Sequence, residues 1–352
     1  MSIPRTSLAV VLAAVSAAAI PISPAWVEQF YSTRAYAALQ RALTSASNRA
    51  PFALFDLLIV VVAAAWIALA WRDARRAGGR AGAAARIVAR SVVWCAAAYL
   101  VFLATWGLNY RRARFVEKYP FDTSRVTDEA ALVAARVAVD RVNALHDAAR
   151  AGGRPAPDAA DPELARAFAS ALHDLRLPSS IAVARPKRSM IDWYLRRSGT
   201  AGLTDPYFLE TLVASDVLSF ERPLVVAHEW SHLAGIADEG EANLAAFLTC
   251  VHGGAAAQYS GWLFLYRELE GTMSRQNRAA LAGALAVGPR DDVRAMRERS
   301  LREVSPRLSE AGWRIYDSYL RANRVESGAR SYGEVVTLVL GLRIDGRPIV
   351  TP

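Results

Sequence analysis

VVAHEWSHLAGIADEGEANLAA, residues 225–246, places His228 and His232 four positions apart, with Glu229 directly after the first. On a helix that spacing projects both imidazoles from one face, one turn above the other. Two imidazoles so arranged can share one zinc ion at about 2.0–2.1 Å each. Glu229 falls at the edge of the same face, where it can take a proton from activated water without acting as a ligand. The flanking Val225, Val226, Ala227, Trp230, Ser231, Leu233 and Ala234 are uncharged, so a buried helix is expected. With five histidines in 352 positions, an HExxH pattern arises by chance in roughly three of a thousand shuffled sequences. A plain core histidine pair is therefore the weaker reading.

Two protein ligands leave a tetrahedral catalytic zinc one short, because water holds the fourth position. Gly235 is a natural helix stop, and Asp238-Glu239-Gly240-Glu241-Ala242-Asn243 opens a second helix. The run from Glu239 to Asn243 reads E-x-x-A-N. It resembles the E-x-x-A-D or E-x-x-A-N segment that supplies the third ligand in several families of glutamate-liganded zinc peptidases. That resemblance implies Glu239 as ligand and Asn243 as the side chain that orients a ligand histidine. Glu241 is the competing ligand; it lies about 200° round the helix from Glu239, so only one of them faces the metal. Asp238, Glu239 and Glu241 would also be favourable simply as acids in a first helical turn. Hydrolysis needs a donor for the developing oxyanion. Tyr259 is the leading candidate, ahead of His252, Tyr194 and Tyr207.

Upstream, three apolar segments precede this region. Residues 53–71 (ALFDLLIVVVAAAWIALAW) and 91–108 (SVVWCAAAYLVFLATWGL) approach the roughly 20 residues needed to cross a hydrocarbon core. Residues 7–22 are shorter and Ala-rich, and read either as a third span or as a cleaved signal. The segment 72–90 carries Arg72, Arg75, Arg76, Arg80, Arg86 and Arg90 against one acid, Asp73. The positive-inside rule makes it a cytoplasmic loop and places everything after Tyr110 outside the cytoplasm. Arg111, Arg112 and Arg114 weigh the other way.

The net charge of +9 comes almost wholly from arginine, lysine occurring at Lys118 and Lys187 alone. Without a zinc knuckle, a recognition helix or aromatic–basic interleaving, it does not point to nucleic acid. Cys95 and Cys250 sit in apolar stretches and make no disulfide framework. A permease is disfavoured because no charged pair lies within the spans; Asp56 alone sits near an interface.

Beyond residue 121 the pattern is mainly helical. Helices are expected over 127–149, over 161–175 with Asp161 as cap and Pro162 in the first turn, and with breaks from Pro223 to Leu342. Residues 152–157 read as a Gly/Pro linker, 181–183 as a short strand, and 335–342 as a core helix.

Three features together resemble a bacterial membrane family known as domain of unknown function 3810. They are the W-G-L-N-Y run (Trp106 to Tyr110), the HEWSH…DEGEAN…FLTC block (His228 to Cys250) followed by Tyr259-Ser260-Gly261, and the C-terminal Ser331-Tyr332-Gly333. Residues 202–218, including Glu210, match the family pattern only loosely. The resemblance implies a membrane-anchored, glutamate-liganded zinc peptidase-like protein. The expectation is a mainly α fold: two to three N-terminal transmembrane helices (residues 1–110), then an α-rich zincin-like domain (119–352) with at most a small sheet, outside the cytoplasm at the cell membrane. Its cofactor is Zn2+, its partners a protein or peptide substrate and the lipid bilayer. A structural or regulatory zinc site without turnover is the competing reading.

Overall fold

The computed structural model describes residues 5–151, 158–323 and 334–350. The linker at 152–157 and the Ser331-Tyr332-Gly333 motif lie outside the described residues. The chain is mainly helical, as its periodicity predicts.

The N-terminal part consists of α1 (Arg5–Ala19), α2 (Pro24–Ser47, π-helical over Val27–Ala35), α3 (Leu54–Arg76) and α4 (Arg80–Thr105). By length and composition α3 and α4 can each cross a membrane. α1 and α2 reach that standard only as a pair, bent by 109°. Alone, α1 has 15 residues, about 22 Å at 1.5 Å per residue and short of a 30 Å core. The expected basic loop at 72–90 is mostly helix. Alanine and arginine are good helix formers, so α3 runs on to Arg76, α4 begins at Arg80, and the turn is only Ala77, Gly78 and Gly79. Arg90 forks onto the buried Asp73 at 2.8 and 3.0 Å, and Trp66 Nε1 donates to Ser91 Oγ at 3.0 Å, so the two helices are tied at two levels.

After the third apolar segment come α5 (Asp128–Ala151) and α6 (Pro162–Asp174). The side chain of Asp161 accepts from Glu163 N and Leu164 N, the cap expected there. Next are β1 (Pro186–Lys187), α7 (Asp192–Ser198), β2 (Gly202–Thr204) and β3 (Thr211–Val213). The strands form one small sheet in the order β1-β3-β2, parallel for β1–β3 and antiparallel for β2–β3. The strand expected at 181–183 does not join it. Those backbone groups pair instead with amide side chains of α2: Gln40 Nε2 donates to Ala182 O and Gln40 Oε1 accepts from Ala182 N. Asn48 does the same with Val183 O and Arg185 N. Two side-chain amides thus stand where a strand would.

The remaining helices are α8 (Arg222–Leu233), α9 (Glu239–His252), α10 (Ala255–Thr272), α11 (Arg275–Ala284), α12 (Val287–Glu303), α13 (Pro306–Ala322) and α14 (Glu334–Gly341). α9 is buried from Glu239 to Cys250. It packs against α6, α8, α10 and α14 and forms the axis of the core. Phe168, Trp230, Phe247 and Tyr266 fill the space around it.

One buried ion pair joins this core to the start of α3. Lys187 Nζ lies 2.6 Å from Glu210 Oε1, both side chains being almost wholly inaccessible. Lys187 also donates to Ser47 O and Phe52 O, while Glu210 accepts from Leu54 N and Phe55 N. Glu210 therefore caps the first turn of α3, where an anion faces orphan N–H groups.

Nearby, the carboxyl of Asp205 is fully buried and accepts from Tyr207 N at 3.0 Å and Phe208 N at 2.7 Å. Burial pushes it up to about 7; the two N–H groups oppose this and Glu210 adds to it. The folded protein then holds this proton more tightly than the unfolded chain. Its stabilising effect is full below about pH 4 and is lost as pH rises to about 7. Asp205→Asn is expected to remove that fall, worth on the order of 4 kcal/mol. Thermal melts across this range would show it, and a slope equal to wild type would contradict it.

Candidate metal centre

α8 begins with Pro223 in its first turn and ends at Leu233, followed by Gly235 in the left-handed region at φ 76°. That glycine ends the helix and is required twice over. Its conformation disfavours any side chain, and a Cβ there would stand 2.7 Å from Asn109 Oδ1. Residues 106–112, the W-G-L-N-Y run and the two arginines after it, close around this terminus. Trp106 Nε1 donates to His232 O at 2.9 Å, and Arg112 Nη1 donates to Ala234 O and Gly235 O. Tyr36 of α2 donates to Leu233 O at 2.9 Å. Carbonyls that every helix leaves unsatisfied are thus met by residues more than a hundred positions upstream.

The arginines that follow α4 are all engaged within the chain. Arg111 reaches Ala17 O and Ile20 O, Arg112 forks onto Glu28, and Arg114 meets Glu334 at 2.5 Å.

On one face of α8, His228 and His232 face one another with Nε2 atoms 3.1 Å apart. The turn after α8 brings in Glu239, first residue of α9, whose Oε2 lies 3.2 Å from His228 Nε2 and 3.5 Å from His232 Nε2. Asp238 fixes the start of α9 by accepting from Glu241 N. Among the described residues this trio is the only group of three or more His, Cys, Asp or Glu side chains whose ligand atoms converge. A tetrahedral ion with ligand distances of 2.0–2.1 Å spaces its donors roughly 3.3–3.4 Å apart, which the observed 3.1–3.5 Å brackets. Glu239 Oε2 is buried and makes no conventional hydrogen bond, although it points at both imidazoles. The donor set therefore fits a divalent cation.

The surroundings orient these groups. His232 Nδ1 lies 2.8 Å from Ile236 O. A carbonyl can only accept, so Nδ1 carries a proton, which leaves Nε2 as the atom that would meet an ion at the centre. Trp106 packs edge-on against the same ring. Burial lowers the His232 pKa, but Glu239 and the Ile236 carbonyl outweigh it and bring it to about 9. Burial works against the Glu239 carboxylate, yet the two imidazoles hold it well below its ordinary range.

Glu229 is buried beside the trio. Burial raises its pKa, with His228, His232 and Thr204 pulling the other way and Glu239 adding to the rise. Thr204 Oγ1 of β2 lies 2.8 Å from Glu229 Oε2. On the same strand, Gly202 is a matter of room: a Cβ would stand 2.5 Å from Glu229 Oε1. β2 thus runs directly against the carboxylate.

Glu241 is turned away from the trio. It accepts from Phe115 N at 2.6 Å and faces Arg114. Burial, with Asp238 adding, pushes it up to about 7. The helical offset that separates the two glutamates puts Glu239, and not Glu241, beside the imidazoles. Asn243 is buried one turn further along α9.

Tyr259 is not at the centre. Its hydroxyl donates to Asp292 at 2.6 Å, and its ring packs on His146 and Phe220. His252 pairs with Asp174 at 2.7 Å, and Tyr194 packs near Gly312. The tyrosine that does reach the centre is Tyr316 of α13, whose hydroxyl donates to Glu239 Oε1. Tyr316 stacks on Tyr319, and burial raises the Tyr319 pKa to about 12, with Tyr207 and Glu239 adding to the rise. A cavity of about 470 Å3 lies behind the α8–α9 turn among Arg112, Arg114, Lys118 and Glu241; none of the trio lines it.

A family profile described as a protein of unknown function (DUF3810) matches residues 31–340. The chain belongs to that family. The matched region contains α3, α4, α8, α9 and α13, so the α3–α4 hairpin, the trio and Tyr316 all fall inside the family's extent. No curated protein and no solved structure matches the chain.

Proposed function

We propose that this protein is a membrane-anchored zinc metallopeptidase with a zincin-like core and its centre outside the cytoplasm. The carrying observation is the convergence of His228, His232 and Glu239 at 3.1–3.5 Å with Glu229 buried beside them. Those three side chains would hold the ion. When bound there, zinc supplies Lewis-acid chemistry, acidifying water and polarising a carbonyl. Glu229 takes a proton from the attacking water as its oxygen joins the carbonyl carbon. It delivers a proton to the amine nitrogen as the C–N bond breaks. A base with a raised pKa suits both transfers, and Thr204 keeps the carboxylate aimed. β2 is an edge strand of its sheet, so an extended peptide could pair along it next to Glu229. This favours a peptide substrate. Basic residues at the α3–α4 turn support the orientation.

Tyr316 would steady the ligand carboxylate from outside. Tyr316→Phe is expected to weaken zinc affinity by about 10–100-fold with the melting temperature unchanged, measured by competition with a chelating dye. Unchanged affinity would remove Tyr316 from this role.

A second reading, zinc held without turnover, is favoured by one observation: the His228 and His232 side chains are only 14% and 11% exposed. Incubating the zinc-loaded chain with a mixed peptide library separates the two. Cleavage abolished by a chelator and restored by zinc supports the peptidase. Intact peptides leave the second reading standing.

A further inference from the structure

An apolar surface that no function so far uses surrounds the N-terminal end of α3. Trp193 and Tyr194 lie in the first turn of α7, and Met190 lies in the turn just before it. They are 59%, 59% and 42% exposed, and Phe52, two residues before α3, is 53% exposed. The surface is fixed to the helix end. Met190 N donates to Asp56 Oδ2 at 2.8 Å, the Ser189 hydroxyl donates to Oδ1, and Asp56 lies in the first turn of α3. Lys187, three residues upstream, holds Phe52 O at 3.0 Å. Whatever plane the end of α3 occupies, Met190 and Trp193 occupy it too.

Exposed apolar patches of this kind mark an interaction site. Tryptophan and tyrosine, with an apolar body and a polar edge, concentrate at the membrane–water boundary. The exposed Arg188 stands at the rim, where lipid phosphates would meet it. The geometry points to residues 188–194 as a seat that dips into the bilayer interface at the N-terminal end of α3. The inference rests on α3 spanning the membrane. α7 leads directly into β2, the strand against Glu229, so the seat holds the centre at a fixed height over the lipid.

The test uses the full chain in vesicles of phosphatidylcholine with phosphatidylglycerol, carrying Cys95→Ser because Cys95 is exposed and Cys250 is buried. An environment-sensitive fluorophore is attached through Trp193→Cys, through Met190→Cys as a second position, and through Val61→Cys in mid-span. Nitroxide on lipid chains near the glycerol is expected to quench the labels at 190 and 193, and aqueous iodide to leave them bright. Iodide quenching without lipid quenching would overturn the seat, as would shielding from both quenchers, which marks a protein partner. In either case a label at 61 quenched by lipid nitroxide shows that the span itself holds. If the label at 61 is not quenched by lipid, the span reading fails and the seat with it.

Discussion

Lys187→Met is expected to destabilise the protein by about 3–5 kcal/mol, because it leaves the Glu210 carboxylate buried without its cation. The Lys187–Glu210 pair is inaccessible to water and donates or accepts four further hydrogen bonds, two of them to the backbone at the start of α3. Removing the ammonium also strands Phe52 O, whereas Ser47 O keeps the N–H of Ala50. Replacing both partners with methionine should recover part of the loss, since two apolar side chains leave no unpaired charge. Thermal melts of the detergent-solubilised single and double variants check this. A single variant as stable as wild type would mean that the junction between core and span does not depend on the pair.

Glu229→Gln is expected to retain zinc and lower peptide hydrolysis by about 10²–10⁴-fold, the usual contribution of a positioned general base. Glutamine keeps the size of the side chain and the contact with Thr204 but has no pKa at which it can take a proton. Metal content should be unaffected, because the proposed ligand atoms belong to His228, His232 and Glu239. If hydrolysis by the zinc-loaded variant equals wild type, Glu229 is not the base and the proposed mechanism is wrong.

The parts of the site legible in sequence were those fixed by one helix's geometry. His228 and His232 face together because four residues make about one turn, and Gly235 ends α8 at a positive φ. The separation of Glu239 from Glu241 was also legible as an angle, but which one faced the imidazoles depended on the α8–α9 turn. Tyr316 was not legible. It lies 77 residues from Glu239 and meets it through tertiary packing alone. Tyr259 drew attention by closeness in sequence, yet its hydroxyl is committed to Asp292.

The same division holds for the fold. The apolar lengths of α3 and α4 were legible because each depends on composition along one helix and not on its neighbours. The segment 181–183 read as a strand because its residues suit extended backbone. Its partners, the side chains of Gln40 and Asn48, belong to a helix that no strand pattern would indicate. Glu210, in a stretch that matched the family pattern loosely, acquired its role from Lys187 and the α3 terminus, both far away in sequence.

The most direct measurement is elemental analysis of zinc in the purified full-length chain, beside Glu239→Ala and Glu241→Ala. Stoichiometric zinc in wild type and Glu241→Ala, with none in Glu239→Ala, is the predicted result. Wild type without zinc after zinc-replete purification, or full zinc in Glu239→Ala, would contradict the centre built from His228, His232 and Glu239.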